Sequence, residues 1–267
     1  MSRVKLHVTL LAAPQAAENT VAMAARLCYS GAEISELKEK IEAKDQQNFI
    51  NRLTEMGHMS PVEHISFTFG VEGVSRALLA QITRHRIASF SVQSQRYVDQ
   101  AKDGFDYVVP PSIEALGEEA VERYTRQMET IASWYEEWVE ALGGGKESAR
   151  QDARFVLPNA AETKMMVTMN ARELIHFFRL RGCNRAQWEI RALAWAMMGL
   201  CYAAAPGIFG NCGPACIGDA CSEAGMSCGR MKDVKQKHKE LLEFVKNHEG
   251  EPDFEERMSE WASKNAQ

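Results

Sequence analysis

No apolar run of the chain reaches the roughly 20 residues of a membrane-spanning helix, and residues 1–6 have no apolar core of signal-peptide length. We therefore expect a cytoplasmic protein without a membrane partner. A basic excess is also missing, because 31 Lys and Arg face 36 Asp and Glu, which gives a net charge of −5. Proteins that coat nucleic acid usually carry the opposite balance, so no nucleic-acid partner is expected.

A second absence concerns motifs. No Gly-x-Gly-x-x-Gly follows a strand pattern, which argues against a Rossmann dinucleotide site, and no internal repeat or low-complexity linker is present. Apolar and polar residues alternate, as in half-buried strands, over residues 4–10, 65–71 and 165–169. Helical periodicity covers residues 16–28, 34–56, 74–83, 121–142, 171–181 and 186–204. A further helix is predicted to lead through residue 154 to residue 157, and two polar helical segments are predicted at the end of the chain. Since these elements lack regular βαβ alternation, we predict one α+β domain.

Cysteine is present in an odd number, seven, which in a cytoplasmic chain indicates reduced thiols rather than a disulfide framework. A Gly- and Cys-rich segment over residues 207–229 holds four of them: Cys212, Cys216, Cys221 and Cys228. None of their gaps is the two-residue spacing of zinc knuckles and ribbons. An ordered segment without metal is therefore favoured, although the glycines could let the chain wrap a structural ion.

The most informative feature is a dense group of anion-binding side chains. Arg84-His85-Arg86 is followed, after seven residues, by Ser94-Gln95-Arg96, and Gln81 precedes Arg84 by about one turn. A guanidinium group is always charged, and its planar fork of donors fits phosphate oxygens. A solvated face with surface salt bridges would explain one arginine pair. For the whole cluster, a phosphate-bearing ligand is the better interpretation.

Two further polar clusters flank this one. In Gly57-His58-Met59-Ser60-Pro61-Val62-Glu63-His64, the two histidines and the glutamate could suggest a metal site. Their spacing matches no standard zinc pattern, so we interpret the segment as a turn that lines a ligand pocket.

The other cluster lies on a predicted helix. Arg172 and His176 are four residues apart and share a face, whereas Arg181 lies near the opposite side at the last turn. We expect Arg181 to serve a different ligand, or a different part of the same pocket. Arg154, also on a helix, says little by itself.

These motifs together resemble those of the flavin-dependent thymidylate synthases (ThyX). The family signature, Arg-His-Arg followed after seven residues by Ser, stands here as Arg84-His85-Arg86 and Ser94. The 57–64 segment is similar to the family's N-terminal motif, and residues 169–190 are similar to its C-terminal motif. Three motifs in the right order are more specific than one short pattern, and the resemblance covers roughly residues 4–205.

The resemblance implies a homotetrameric methyltransferase with a mainly antiparallel sheet flanked by long helices. Such an enzyme converts dUMP to dTMP, with methylenetetrahydrofolate as carbon donor and NADPH as reductant through a bound FAD. Carried over residue by residue, the FAD contacts are Ser60, Arg84, His85, Arg86, Asn170, Ala171, Arg172 and His176. The dUMP contacts are Gln81, Arg84, Ser94, Gln95, Arg96, Arg154 and Arg181.

The same resemblance gives Arg181 the catalytic role. Its fixed positive charge near N3 and O2 of uracil would stabilise an electron-rich ring that attacks the one-carbon unit. No cysteine nucleophile is indicated, and Ser94 lacks a neighbouring base, so we interpret Ser94 as a phosphate or ring contact. Many relatives carry Glu or Gln where Val92 stands, and a side-chain contact there would be lost. The seven residues between the two groups would set the distance at which hydride donor and uracil meet.

Two alternatives remain open from the sequence. The pocket could serve another pyrimidine nucleotide, or the protein could be a nucleotide-binding module without turnover. For domain organisation, we predict a catalytic domain over residues 1–230, including the Gly- and Cys-rich segment, and a polar helical extension over 231–267.

Overall fold

The computed structural model describes residues 1–99, 104–218 and 220–266. A four-stranded sheet in the order β1-β2-β4-β3 forms its centre, and every neighbouring pair is antiparallel. The strands are β1 (His7–Ala12), β2 (Ser66–Ser75), β3 (Ala88–Val92) and β4 (Glu162–Asn170). The predicted α+β class with an antiparallel sheet is confirmed.

Helices surround the sheet. Those before β4 are α1 (Ala17–Leu27), α2 (Ile34–Glu42), α3 (Gln47–Glu55), α4 (Arg76–Ile82), α5 (Pro111–Glu114), α6 (Glu118–Ala141) and α7 (Glu147–Ala153). Those after it are α8 (Ala171–Arg181), α9 (Trp188–Ala204), α10 (Pro206–Phe209), α11 (Met231–His248) and α12 (Phe254–Asn265). None of these helices combines the length and the apolar content needed to cross a bilayer.

The two central strands show why the sequence forms a sheet here. On β2, Phe67, Phe69 and Val71 are fully buried, and their alternation places every second side chain on the core face. On the opposite face, the hydroxyls of Thr68 and Thr168 lie 2.9 Å apart across β2 and β4. A bulge follows Val71, and Gly73 adopts a positive φ of 66° there. A Cβ at Gly73 would lie 1.8 Å from the Lys5 carbonyl oxygen, so the position requires glycine.

Helix α9 forms the middle of the main core. Fourteen of its seventeen residues are buried, including Trp195. Helices α11 and α12 contribute Leu241 and Met258 to the same core, and α12 covers the edge strand β1. The amide of Val8 donates to Ser259 Oγ at 3.0 Å, which satisfies one edge donor. The functional division of the chain at residue 230 stays a prediction.

Several element boundaries differ from the sequence-based expectations. The single helix predicted over residues 34–56 is wrong, because α2 and α3 are separate helices. Gln46, in the connection, donates to the carbonyl oxygens of Ile41 (2.9 Å) and Lys44 (2.8 Å), which satisfies acceptors at the end of α2. Strand β1 begins three residues later than predicted, at His7, and α4 begins at Arg76, because Val74 still pairs with Thr163.

Two further segments differ from the sequence-based expectations. Residues 88–92, for which the alternation of apolar and polar residues gave no strand, form β3 and pair with β4. The helix predicted to lead through Arg154 ends at Ala153, and Arg154 begins a short 3-10 turn, Arg154–Val156. By contrast, α8 spans the predicted residues, and the long amphipathic helix is confirmed as α6.

Candidate active site

Three segments that carry predicted site residues meet at one end of the sheet. There Ser66 at the start of β2 pairs with Asn170 at the end of β4, and Ala88 at the start of β3 pairs with Met169. Residues just before β2, just before β3 and just after β4 therefore lie close together. We call this the near end of the sheet. The opposite end, where Ser75 pairs with Glu162 and β3 finishes at Val92, is the far end.

Asn170 fixes the direction in which α8 leaves the near end. Its backbone is extended, and its side-chain oxygen accepts from the amide of Glu173 at 2.9 Å, which satisfies a free donor of the first turn. The amide of Ala171 donates to the Ile65 carbonyl at 2.9 Å, which ties the start of the helix to the residue before β2. From this start, α8 presents Glu173 and Arg181 to His85.

His85 is the buried centre of the near end, with 6% of its surface exposed. Its Nδ1 lies 2.9 Å from Glu173 Oε1. On the other side of the ring, Arg181 Nε lies 3.1 Å from His85 Nε2. The rings of His176 and Phe177 pack edge-to-face against it, with centroids 6.1 and 5.0 Å away. The imidazole is therefore held on all sides.

This geometry defines the proton position on His85. Arginine Nε carries a hydrogen and can only donate, so His85 Nε2 must accept and Nδ1 must carry the proton that is donated to Glu173. Burial lowers the pKa of His85; the hydrogen bond that His85 donates to Glu173 opposes this shift, and the nearby charge of Arg181 adds to it. At neutral pH the ring is therefore neutral, and it orients Arg181 without placing a second positive charge beside the guanidinium.

Arg181 lies between His85 and the end of α4. Its Nη2 donates to the Gln81 carbonyl at 3.5 Å, while Gln81 Nε2 donates to Gln187 Oε1, also at 3.5 Å. Burial, and secondarily the charge of Arg84, lower the pKa of Arg181, so the two guanidinium groups are neighbours. Arg181 is nevertheless a permanent cation at physiological pH. A pair of cations at a half-open site is suited to an anionic or electron-rich ligand.

The remaining near-end residues surround this centre. Arg84, Arg86 and Arg172 are exposed, as is Ser60, which begins the 3-10 turn Ser60–His64. Arg172 Nη1 forms an ion pair with Glu63 Oε1 of that turn. Within the described residues, no carboxylate forms an ion pair with Arg84 or Arg86, and no group of three His, Cys, Asp or Glu side chains is placed to hold a metal ion.

Ser94, Gln95 and Arg96 lie at the far end, directly after β3. Ser94 Oγ accepts from the Arg96 amide at 3.2 Å, and Arg150 Nε donates to the Arg96 carbonyl at 2.9 Å. The Arg96 guanidinium forms an ion pair with Glu147 and lies 5.5 Å from the Tyr97 ring centroid. Its Nε is buried and has no hydrogen-bond partner, which leaves a donor available.

Arg154 also belongs to the far end. It follows α7, the helix that carries Glu147 and Arg150, and its charge contributes, after burial, to lowering the pKa of Arg76 at the start of α4. The Arg76 amide donates to the Ala161 carbonyl at 3.0 Å, next to the first residue of β4. The far end is thus a second cationic group, built from α4, α7 and the segment after β3.

Within one chain, the two groups are separated. The structure brings together Gln81, Arg84, His85, His176 and Arg181 at the near end, with Ser60, Asn170 and Arg172 beside them. Ser94, Gln95, Arg96 and Arg154 are not part of that group. The five residues of β3 span about 17 Å between the ends. The segment between Arg86 and Ser94, expected to set the distance between two ligands, thus contains a strand that holds the two groups apart.

Sequence reasoning missed several partners of these residues. The most important is Glu173, three residues after Asn170. The Asn-x-x-Glu spacing is typical of a capping box, in which the glutamate would turn back to the helix start. Here only the asparagine caps, and Glu173 reaches His85 instead. The ion pairs of Arg172 with Glu63 and of Arg96 with Glu147 were also missed, because ion pairs between distant segments leave no local pattern in the sequence.

Comparison with known proteins identifies the family to which this fold belongs. The fold is an α+β domain with cationic groups suited to phosphate-bearing ligands. A family model described as "Thymidylate synthase complementing protein" matches residues 9–207. A flavin-dependent thymidylate synthase of Geobacter sulfurreducens is 50% identical over 236 residues, covering 88% of this chain and 99% of the relative. One from Clostridium tetani is 44% identical, covering 82% and 91%.

The chain belongs to the flavin-dependent thymidylate synthase family. Among solved structures, it is similar to a UMP/dUMP methylase, PolB, from Streptomyces cacaoi, crystallised with 5-Br dUMP. The TM-score is 0.64 and the identity 25%, and the match covers 78% of this chain and 95% of the other. The resemblance inferred from the three motifs is therefore confirmed at the level of family.

Proposed function

We propose that this protein is a flavin-dependent thymidylate synthase that methylates dUMP to dTMP, with methylenetetrahydrofolate as carbon donor and NADPH as reductant. The observation that carries the proposal is the near-end geometry, in which neutral His85 holds Arg181 at 3.1 Å beside Arg84. Such a fixed cation pair can stabilise a uracil ring that becomes electron-rich. The family membership supplies the reaction.

The near end is proposed to bind FAD through Ser60, Arg84, His85, Arg86, Asn170, Ala171, Arg172 and His176. The donor set fits, because the exposed guanidinium groups of Arg84 and Arg86 form no ion pair with a carboxylate of the described residues and suit the diphosphate of this cofactor, whereas Arg172 is already paired with Glu63. Asn170 and Glu173 fix the start of α8, so these donors need little reordering on binding. The flavin supplies hydride transfer, while the chain binds and orients it.

The nucleotide site is proposed to combine both ends. Gln81, Arg84 and Arg181 would contact the uracil and ribose region, while Ser94, Gln95, Arg96 and Arg154 would hold the phosphate. Arg96 offers the buried, unpartnered Nε donor that a phosphate oxygen would satisfy. Because β3 separates the two groups within one chain, we propose that near and far ends of different subunits meet in a homotetramer. The setting proposed for this enzyme is the cytoplasm.

Arg181 is the proposed catalytic residue. A permanent positive charge beside N3 and O2 of uracil favours the ring form with negative charge, which raises the electron density at C5. Lysine could lose its proton in the same half-buried position, whereas arginine keeps its charge. Glu173 acts through His85, since by accepting the hydrogen bond from His85 Nδ1 it keeps Nε2 free to accept from Arg181.

The first test is the absorbance spectrum of the purified protein. We expect a yellow protein whose flavin bands shift when dUMP is added. With NADPH and methylenetetrahydrofolate present, dUMP should be converted to dTMP. A protein that stays colourless with added FAD would contradict the proposal. NADPH oxidation and dTMP formation both absent with every substrate present would instead indicate a nucleotide-sensing module.

A second candidate substrate is UMP, because the similar solved structure is named as a UMP/dUMP methylase. Turnover with dUMP, UMP and dCMP, compared as kcat/KM, distinguishes the alternatives. We expect dUMP to be preferred.

Single substitutions at the near end distinguish residues that bind the nucleotide from residues that bind the flavin. Arg181→Ala should abolish dTMP formation while FAD stays bound, since Arg181 is assigned to the nucleotide. His85→Ala or Arg172→Ala should weaken FAD retention first. The measurement is bound flavin per subunit after gel filtration, together with dTMP formation. Loss of flavin from Arg181→Ala would show that Arg181 is assigned to the wrong ligand.

A further inference from the structure

A cavity of about 340 Å³ lies beside α8, in a part of the chain that neither the flavin nor the nucleotide assignment uses. Ile175 and Arg179 of α8 form one wall, and Met59, which directly precedes Ser60 in the sequence, forms another. The remaining wall comes mainly from the first part of the Gly- and Cys-rich segment. None of the described residues proposed above to bind FAD or dUMP lines this cavity, so neither ligand explains it.

A second cavity, of about 350 Å³, adjoins the first one. Both cavities are lined by Arg179, Pro214 and Ala215. Arg181 lines the second cavity as well, but its Nε donates to His85, so this guanidinium is already used at the near end. We call the two cavities together the α8 groove, which extends from Met59 past Arg179 to Arg185.

The first part of the α8 groove is mainly apolar. Its lining includes Met59, Ile175, Ile208 and Ile217, and among the side chains that the structure describes no carboxylate lines it. A cavity of about 150 Å³ is enough to hold a benzene-sized ring. The first part therefore has room for a substituted benzene ring between apolar walls.

The second part of the groove carries positive charge. Arg179, which lines both cavities, is exposed, and within the described residues its guanidinium forms no ion pair. Arg185 donates from Nη1 to the Met226 carbonyl at 2.7 Å, and its Nε lies 3.9 Å from Glu223, a carboxylate that also lines this part. The forked donors of an arginine without an ion pair suit a carboxylate ligand. A ligand that is apolar at one end and carries carboxylates at the other matches the groove.

The wall opposite α8 is fixed by its own hydrogen bonds. The Ile217 amide donates to the Pro214 carbonyl at 2.8 Å, and the Cys212 amide donates to the Phe209 carbonyl at 3.0 Å. Gly213 between them has a φ of 149°, and a Cβ there would lie 2.9 Å from Ile217 Cγ1. The wall is therefore formed before a ligand arrives, which limits the ordering cost of binding.

Methylenetetrahydrofolate, the carbon donor of the proposed reaction, has the matching order of groups. Its pterin carries the carbon unit and must reach the near end, where Met59 adjoins Ser60 in the sequence. A p-aminobenzoyl ring follows the pterin, and a glutamate follows the ring. Each further glutamate, linked through the γ-carboxyl group, adds one carboxylate. The order is thus an apolar ring first and then a row of negative charges.

We propose that the α8 groove binds the p-aminobenzoyl-glutamate tail of methylenetetrahydrofolate. The ring lies between Met59 and Ile175, Arg179 holds the first glutamate, and Arg185 lies towards the later ones. The inference rests on the proposed function, because folate is a substrate of that reaction. It adds a preference for folates that carry several glutamates.

The test compares tetrahydrofolate monoglutamate and triglutamate by titration calorimetry on the flavin-loaded, full-length protein. We expect the triglutamate to bind about ten-fold more tightly, which corresponds to one additional charge-assisted contact. Arg179→Ala should weaken the binding of both forms about ten-fold, and Arg179→Lys, which keeps the charge but not the fork, should recover part of the loss. Glu223→Gln should tighten the binding of the triglutamate alone, because it releases Arg185.

Arg126→Ala is the matched control, because it removes an exposed arginine of α6 that pairs with Glu122, and it should bind both forms like the wild type. In turnover, Arg179→Ala should raise the KM for methylenetetrahydrofolate and leave the KM values for dUMP and NADPH unchanged.

Equal binding of both folates by wild type and Arg179→Ala, with dTMP still formed, would overturn the inference and leave the proposed function intact. A raised KM for NADPH in place of folate would also overturn it, since the groove would then serve the other substrate. Wild-type protein that forms no dTMP would overturn the proposed function itself.

Discussion

At His85, two neighbours with opposite requirements meet. Glu173 can only accept a hydrogen bond and Arg181 can only donate one, so the neutral ring with its proton on Nδ1 satisfies both. A protonated ring would place two donors against each other at Nε2. The geometry of the near end therefore depends on the position of one proton on His85. A substitution at another residue that moves this proton should displace the Arg181 guanidinium.

Glu173→Gln moves that proton. The amide group can donate to Nδ1, which favours the ring form with its proton on Nε2, opposite the Arg181 donor. A buried mismatch of this kind costs about 1–3 kcal/mol, so we expect kcat to fall about 10- to 100-fold. The fall should be in kcat more than in the KM for dUMP.

Glu36→Gln is the matched control, because Glu36 forms an exposed pair with Lys40 on α2. It should leave both kinetic constants unchanged. A Glu173→Gln variant with wild-type kcat would show that the carboxylate has no part in positioning Arg181.

The lowered pKa of His85 predicts a pH dependence of stability. The unfolded chain takes up this proton near the ordinary value of 6.5, whereas the folded chain resists protonation until lower pH. The free energy of unfolding should therefore be constant above about pH 6.5 and fall as the pH decreases below it. His238, whose pKa is also lowered by burial, contributes in the same direction.

Denaturant titrations between about pH 5 and pH 8 measure this. His85→Asn should flatten the slope below about pH 6.5, while His58→Asn, at an exposed position, should not. Stability that rises on acidification would contradict the neutral, buried state of His85.

At the scale of elements, two capped helices position the near-end residues: α8, which starts at the near end, and α4, which starts at the far end. Asn170 caps α8 by itself. Ser75 caps α4 through its Oγ, which accepts from the Leu78 amide at 3.1 Å and donates to the buried carboxylate of Glu189 at 2.6 Å. Burial raises the pKa of Glu189, and the hydrogen bonds from Ser75 oppose this. The α4 cap thus also stabilises a buried charge.

We therefore expect Ser75→Ala to destabilise more than Asn170→Ala. Loss of a cap costs about 1 kcal/mol, and loss of a hydrogen bond to a buried charged group adds about 1.5–3 kcal/mol. Thermal unfolding measures the difference, at about 2–4 °C for each kcal/mol in a chain of this size. Ser133→Ala on the exposed part of α6 is the control. Equal shifts for the two cap variants would mean that Glu189 does not depend on Ser75.

The sequence predicts correctly those elements that are specified by neighbouring residues, and it misses those that depend on contacts between distant segments. Helix α8 was predicted at its observed residues, because an Asn cap, a 3.6-residue period and a final Gly182 are local signals. The break between α2 and α3 was missed, since no Pro or Gly marks it. Strand β3 was missed because polar residues such as Ser89 and Ser91 hide it, and it exists through pairing with β4. The role of Glu173 was not predictable, because it depends on the contact between α8 and His85, which are distant in the sequence.

On the scale of the whole molecule, one chain holds the predicted site residues in two groups. The near end carries Arg181, the far end carries Arg96, and β3 lies between them. The residues of each group were predicted from the motifs, but their separation was not, because sequence spacing does not say that the residues between them are extended. A complete site built from different subunits is the simplest way to use both groups.

Mixing two inactive variants tests whether the dUMP site is shared between subunits. Arg181→Ala has an intact far end, and Arg96→Ala has an intact near end. After the two proteins are unfolded and refolded together in equal amounts, sites formed between subunits should be intact in about a quarter of cases, by random assembly. We predict that the mixture forms dTMP from dUMP at about a quarter of the wild-type rate, while each variant alone is inactive. A mixture as inactive as its components would contradict a dUMP site shared between subunits.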